Sequence, residues 1–235
     1  MLSFWVPQIF MRIDIITIFP KLFPPYLNES LLKRAQKKKI LEFRVHDLRD
    51  FTSDKHHKVD DRPYGGGPGM ILKVEPIVAA LQKIRNKKTK RVRVIAMDPG
   101  GKQLTQTLAK RLATYGQLVF IAGRYEGYDA RLFEFVDERI SIGPYVLAGG
   151  ELPALIVIDA VTRHIPGVLG DPDSLTEETH STDGYVEYPQ FTRPETLNYK
   201  LTANSDKLLK VPKVLLSGNH VSIAEWRKKH ARSSS

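Results

Sequence analysis

Gln117-Leu-Val-Phe-Ile-Ala-Gly-Arg-Tyr-Glu-Gly127 places an apolar run of strand length directly before a turn bounded by two glycines. The run reads as a short buried strand. Working outward, residues 13–18, 41–45 and 92–97 have the same Ile-, Val- and Phe-rich character. Segments with helical periodicity separate them. Residues 31–39 form one; Ile77, Leu81 and Ile84 keep i, i+4, i+7 spacing just after Pro76; Leu104, Leu108 and Leu112 repeat the pattern. Residues 153–164 read as a further helix, with Pro153 in its first turn and Pro166 beyond its end. Parallel strands need a crossover element between them, and this alternation supplies one. The predicted fold class is therefore α/β: a mostly parallel sheet with helices on both faces.

The chain has 235 residues, 42% hydrophobic and 26% charged, with no cysteine and a formal net charge of +10. That length allows one large domain or two small ones. The aliphatic content excludes collagen-like and wholly disordered classes. Without cysteine there is no disulfide framework, thiolate nucleophile or Cys-ligated zinc. No apolar run reaches the ~20 residues that cross a bilayer, so a soluble, cytoplasmic protein with no membrane partner is expected. Residues 1–10 lack a charged leader and a cleavage site, and Met11 opens the first strand, so they are expected to be an extension outside the fold. A main domain is expected over 11–170, an acidic, turn-rich linker over 171–189 and a small basic C-terminal domain over 190–235.

The cations are clumped. Seven lie from Lys83 to Arg93 with no acid among them, and smaller groups comprise Arg34, Lys37, Lys38 and Lys39, and Arg227, Lys228, Lys229 and Arg232. One such run is ordinary solvated surface; three favour a polyanionic partner, nucleic acid ahead of membrane.

Three glycine-rich strand-end loops carry the chemistry. Beside the turn holding Gly123, Tyr125 and Glu126 stand Asp98-Pro-Gly-Gly101 after Met97, and Ser141-Ile-Gly-Pro-Tyr-Val-Leu-Ala-Gly-Gly-Glu151. Open α/β sheets bind ligands beyond the carboxyl ends of their strands. Loops of this kind point to one pocket lined by main-chain groups, which suits a flat heterocycle such as adenine better than a metal ion. A fourth stretch, Asp60-Asp-Arg-Pro-Tyr-Gly-Gly-Gly-Pro-Gly69, frees the backbone to approach a ligand, with Arg62 able to meet a phosphate. It satisfies neither common nucleotide-loop pattern. His56, His57 and His180 have no metal-ligand spacing, so no metal site is predicted. Asp159 and Arg163 share one face of a predicted helix, which by spacing alone is an ordinary surface ion pair.

With these residues assembled, the chain resembles the bacterial tRNA (guanine-N1)-methyltransferase family. The motifs that carry the resemblance are residues 60–70, 123–127, 141–153, Ile165-Pro-Gly-Val-Leu-Gly170, Tyr188-Pro-Gln-Phe-Thr-Arg-Pro194 and Leu215-Leu-Ser-Gly-Asn-His220. It implies a SPOUT fold with a deep trefoil knot, a small helical C-terminal domain, and a homodimer whose active site combines both subunits. It also implies S-adenosylmethionine as methyl donor, with magnesium assistance admitted, and the tRNA anticodon arm as partner, methylated at N1 of G37.

Carried over residue by residue, donor contacts fall on Met97, Asp98, Pro99, Gly123, Tyr125, Glu126, Ser141, Ile142, Gly143, Pro144, Tyr145, Val146, Leu147, Gly149 and Gly150. RNA contacts fall on Asp60, Asp61, Arg62, Gly65, Gly66, Gly67, Asn219, His220 and Arg227. In the family a linker Asp removes the N1 proton and an Arg on the preceding helix assists; the Arg matches Arg163. The linker departs from the common Glu-Asp-Ser-Phe pattern. It reads Glu177-Glu178-Thr179-His180, with an extra residue before Gly184, so Glu178 is the candidate base and Glu177 and Asp183 stay open. The sequence after Trp226-Arg227 is shorter than in most members, which implies a smaller tRNA grip. An RNA-binding module without catalysis is the main rival, supported by the altered linker. A nucleotide hydrolase using residues 65–69 lacks the lysine and the metal-binding Ser/Thr of phosphoryl transfer.

Overall fold

The computed structural model describes residues 10–85, 89, 91–200 and 206–233. The chain divides into two compact units, Met1–Pro172 and Asp173–Ser235. Five strands build the sheet of the first: β1 (Met11–Thr17), β2 (Leu41–Asp47), β3 (Val92–Gln103), β4 (Gln117–Ala122) and β5 (Glu138–Ser141). All neighbours are parallel, in the spatial order β2-β1-β4-β3-β5. Helices α1 (Ser30–Lys37), α2 (Val74–Ile84), α3 (Gln106–Leu112) and α4 (Glu151–Thr162) pack against it.

Every residue of the central strand β4 is buried. Its apolar run has no face to offer water, so both sides must be covered. Strand alternation divides the work. Ile13, Ile15, Ile95, Met97, Leu118 and Phe120 share one core with α1, α3 and α4. Ile16, Val94, Val119 and Ile121 share the other with α2. Full burial of each such side chain is worth ~1.5–3 kcal/mol, which makes the register of β4 hard to shift.

Charge holds the amino ends of the strands. Asp14, fully buried, accepts from Arg12 Nε at 2.7 Å and Gln117 Nε2 at 2.7 Å, and its other oxygen lies 2.9 Å from His46 Nε2. Glu138 sits between Arg93 and Arg111. Burial works against its ionisation, but the two guanidiniums hold its carboxyl below the usual range. Arg91 and Arg93 lie over the Tyr115 ring. The Arg91 carbonyl accepts from the Gly116 and Gln117 amides, so the described part of the basic run stands at this end; Lys87, Lys88 and Lys90 lie outside the described residues. The group at Lys37, Lys38 and Lys39 is here too, since Ile40 accepts from the amide of Met11.

One strand had no expectation of its own, and two sequence expectations change. The strand β5 is short and opens on Glu138 and Arg139, and its apolar signal is only Ile140. The predicted loop at 98–101 is a bulged continuation of β3, with a register irregularity between Met97 and Lys102. Gly101 is required there, because a Cβ would lie 2.5 Å from the Arg139 carbonyl carbon. The helix expected from Pro153 begins at Glu151; Pro153, with no N–H, still falls in the first turn where none is needed.

The second unit is not wholly helical, contrary to expectation. Strands β6 (Thr196–Lys200) and β7 (Asp206–Lys210) pair antiparallel, and Tyr185–Val186 pairs with Arg232–Ser233. Helix α5 (His220–His230) follows a short turn of helix at Lys213–Leu216. Leu197 faces Leu209 across the pair, a spacing too brief to give a period in so basic a segment. Phe10 is exposed, and residues 1–9, where the extension was expected, lie outside the described residues. Among the described residues no helix is long and apolar enough to cross a membrane.

Candidate active site

The carboxyl ends of β3, β4 and β5 open into one cleft of about 320 Å³. It is lined by Met97, Asp98 and Pro99 from β3, by residues 123–128 after β4, and by Ile140, Ser141 and Ile142 at the end of β5. Residues 145–150 and Pro153 complete the wall. Of the residues predicted to hold the donor, Gly143 and Pro144 alone are not part of this lining. The Gly143 amide and carbonyl are both engaged by the Ser141 hydroxyl, at 3.3 and 2.9 Å, so it shapes the loop from behind.

Close backbone approach explains two of the glycines. A Cβ on Gly123 would lie 2.7 Å from the Tyr128 hydroxyl, and one on Gly150 would lie 2.6 Å from the Gly123 amide nitrogen. The Gly150 amide donates to the Gly123 carbonyl at 2.8 Å, joining the start of α4 to the end of β4. Between them Tyr125 holds φ at +59°, a region side-chained residues rarely occupy, and projects half-exposed at the mouth.

Tyr128 and Phe133 also line the cleft and were not singled out from the sequence. The Tyr128 hydroxyl donates to the carbonyls of Ile121 and Met97, at 2.8 and 3.0 Å, and so ties β4 to β3. Its ring is partly covered but its hydroxyl end is enclosed. That burial, with Asp98 and Glu151 nearby, pushes its pKa far up and keeps it a neutral donor. The signal available in the sequence was a tyrosine directly after a strand-end turn. Asp98 spends its carboxylate on Arg139 Nε at 2.7 Å and the Gly100 amide at 2.8 Å, and Arg139 in turn covers the Phe133 ring.

The glycine-rich stretch meets the cleft through its backbone. Asp60–Asp61 pairs with Ile71–Leu72, and the intervening Gly65, Gly66 and Gly67 all have positive φ with open space around them. On the return, the Met70 carbonyl accepts from Glu126 at 2.9 Å, the Leu72 amide donates to Gly127 at 2.9 Å, and the Leu72 carbonyl accepts from Asp129 at 3.0 Å. A Cβ on Gly69 would press on the Glu126 side chain. The exposed Asp61, Arg62 and Tyr64 therefore extend from the segment that flanks the 126–129 turn.

A family profile described as tRNA (guanine-1)-methyltransferase TrmD matches residues 11–235. The chain belongs to this family. It is 48% identical over 221 residues to the tRNA (guanine-N(1)-)-methyltransferase of Dictyoglomus turgidum, covering 94% of this chain and 85% of that protein. The Thermomicrobium roseum enzyme of the same name is 48% identical, covering 93% and 78%. That of Mycoplasmopsis synoviae is 47% identical, covering 93% and 91%.

The family's expected catalytic pair falls in two different units. Arg163 is the C-cap residue of α4, half-buried, while Asp159 one turn earlier accepts the Tyr26 hydroxyl at 3.0 Å. Glu178 lies in the second unit, where its carbonyl accepts from the Ser181 amide at 2.9 Å. His180, at φ +67°, donates its amide to Tyr185 at 2.8 Å and closes the segment into a compact turn. Partial burial and then the charge of the Glu177 carboxylate raise the Tyr185 pKa. Asn219 has a folding role: its side chain caps α5, accepting from Val221 and Ser222 at 3.1 and 3.2 Å. His220 is the exposed first residue of that helix, and Arg227 lies over the Tyr188 ring. Among the described residues no group of three His, Asp or Glu side chains gathers to hold a metal ion.

Proposed function

We propose that the protein transfers the methyl group of S-adenosylmethionine to N1 of guanosine 37 in tRNA, in the cytoplasm. The supporting observation is the cleft where β3, β4 and β5 come together: its size falls at the lower end of the range of small-ligand sites, and its lining combines apolar and aromatic side chains with glycine-rich turns. Such walls fit a nucleoside donor. Gly123 and residues 142–147 would hold the adenosine part, Met97, Asp98 and Pro99 would close one side, and Tyr125 and Glu126 would adjoin the methionine end. When bound, the donor supplies an electrophilic methyl on a sulfonium whose leaving group is a neutral thioether.

The chain's own task is at the acceptor. Guanine N1 carries a proton at neutral pH. Glu178 takes that proton, the freed N1 electron pair forms the new bond to the methyl carbon, and the carbon–sulfur pair stays on sulfur. Arg163 steadies the electron density that moves onto O6 as the proton leaves. The 60–67 stretch, with Asp60, Asp61 and Arg62, receives the target nucleotide, while His220 and Arg227 meet the anticodon arm and Asn219 orders the helix that presents them. An anticodon-loop base is already unpaired, which lowers the cost of placing it in a pocket.

The reading includes a homodimer and a deep trefoil knot. The dimer is supported by an apolar stripe on α4, where Leu152 and Ile156 are exposed four residues apart, beside Tyr26. Light scattering at twice the chain mass is the expected result. For the knot, the support is family membership and the close passage of Gly150 against Gly123. The deciding experiment is radiolabelled methyl transfer to tRNA transcripts bearing G37 or A37. Only G37 is expected to be labelled, and Glu178→Gln lowers the rate by ~10²–10⁴-fold while donor binding stays. Full activity of that variant would move the base to Glu177 or Asp183.

A further inference from the structure

Glu151, the first residue of α4, is an acidic side chain that is only 1% exposed. Its Oε1 accepts the Thr17 hydroxyl at 2.9 Å, and its Oε2 accepts Arg124 Nε at 2.8 Å. Thr17 is the last residue of β1, and Arg124 follows β4. Arg124 also donates from Nη1 to the Ala148 carbonyl at 3.2 Å, and its guanidinium lies 4.6 Å from the centre of the Phe19 ring. The Phe19 amide returns to Thr17 Oγ1 at 2.9 Å. One buried carboxylate thus joins the end of β1, the turn after β4 and the loop before α4. The amino terminus of a helix favours a negative charge, and burial makes full pairing of that charge obligatory. Arg124 and Ala148 line the cleft; Thr17 and Glu151 do not.

We infer that Glu151 is a positioning residue for methyl transfer, acting through Arg124 to hold the Ala148 carbonyl and with it the 145–148 wall of the cleft. That wall has little packing of its own: Tyr145, Val146 and Leu147 are all exposed, Val146 by 80%. Among the described residues Tyr145 is tied back only within its own loop, to the Gly143 and Ile142 carbonyls, so Arg124 is a restraint that reaches the wall from outside the loop and sets where the Ala148 carbonyl points. A neutral amide at 151 weakens this arrangement. Its oxygen can still accept from Arg124 Nε while its NH2 turns to the Thr17 hydroxyl, which can accept, but the bond to Arg124 is then no longer charge-assisted and the Thr17 proton loses its acceptor. The inference rests on the reading that this cleft holds S-adenosylmethionine.

The test titrates wild-type and Glu151→Gln proteins with S-adenosylmethionine by calorimetry and measures methyl transfer to G37 tRNA. Loss of a charge-assisted hydrogen bond is expected to raise donor Kd and KM by about 10–30-fold. At saturating donor, kcat and the KM for tRNA stay within about 2-fold, a split that simple destabilisation of the fold does not produce. Thr17→Val, which removes a partner of Glu151 outside the cleft, raises donor Kd by a smaller factor in the same direction and carries the test if Glu151→Gln does not fold. In the double variant Glu151→Gln/Arg124→Lys, donor Kd is no weaker than in the worse single variant. Unchanged donor Kd in both Glu151→Gln and Thr17→Val, losses that multiply in the double variant, or a loss confined to kcat would each overturn the inference. A wild-type protein that binds no donor would instead overturn the functional reading on which it stands.

Discussion

The two ends of the same five strands are held by opposite means. Toward the amino ends, polar and charged side chains satisfy one another: Asp14 with Arg12 and Gln117, and Glu138 with Arg93 and Arg111. At the carboxyl ends, glycines bring backbone against backbone, and most charged side chains that remain are spent on holding loops. The contrast separates stability from recognition. A side-chain network that closes on itself contributes folding energy and leaves nothing for a ligand, whereas a main-chain wall keeps donors and acceptors in fixed positions with no rotamer entropy to lose on binding. The positive charge follows the same division: Arg91 and Arg93 over Tyr115, and the group at Lys37, Lys38 and Lys39, lie at the closed end.

Substitutions at each end test this division. The largest effect is expected from Gly150→Ala, whose added carbon meets the backbone of Gly123 and Ala122. Overpacking against main chain costs about 3 kcal/mol, and the distorted wall lowers methyl transfer by roughly 100-fold or more. Thermal melting and turnover check the pair of losses; a fully active variant would mean that the approach is not tight. Next comes Asp14→Asn, which leaves Arg12 without its buried counter-charge. A cost of ~2 kcal/mol is expected, with turnover at saturating substrates within about 2-fold, because nothing at that end reaches the cleft. A large fall in turnover at permissive temperature would break the division.

The smallest effect is expected from Glu138→Gln, at about 1 kcal/mol or a few degrees in Tm, since its arginines are partly exposed. Its sign with pH is fixed. The folded pKa of Glu138 lies below the unfolded one, so its contribution is full above the ordinary carboxylate range and is lost as pH falls through the folded value. The Tm gap between wild type and variant therefore closes on acidification, and a gap that widens would refute the assignment.

How much of this was legible depended on the length of the signal. Residues 117–122 carry an uninterrupted apolar run, and such a run reports a two-sided burial that the structure contains. The four-residue β5 has one strongly apolar position, and the bulged end of β3 contains proline and two glycines, so neither has a period to detect. Glycine clusters pointed to close backbone approach without naming the partner surface; Gly123 and Gly150 proved to face each other across 27 residues of sequence, a distance that no local pattern spans. Tyr128 and Glu151 were hidden for the same reason, because their partners, Met97, Ile121, Thr17 and Arg124, are brought to them only by the order of the strands. Asn219 was legible in principle, as an Asn immediately before a helix, and its capping geometry accounts for it.

The stalk of the glycine-rich segment, Met70 to Leu72, is stitched by three peptide hydrogen bonds to the turn at 126–129. The exposed glycine run is thereby anchored, by main chain alone, to the turn that lines the cleft, so its base shares the footing of the β4 end although its tip stands in open space.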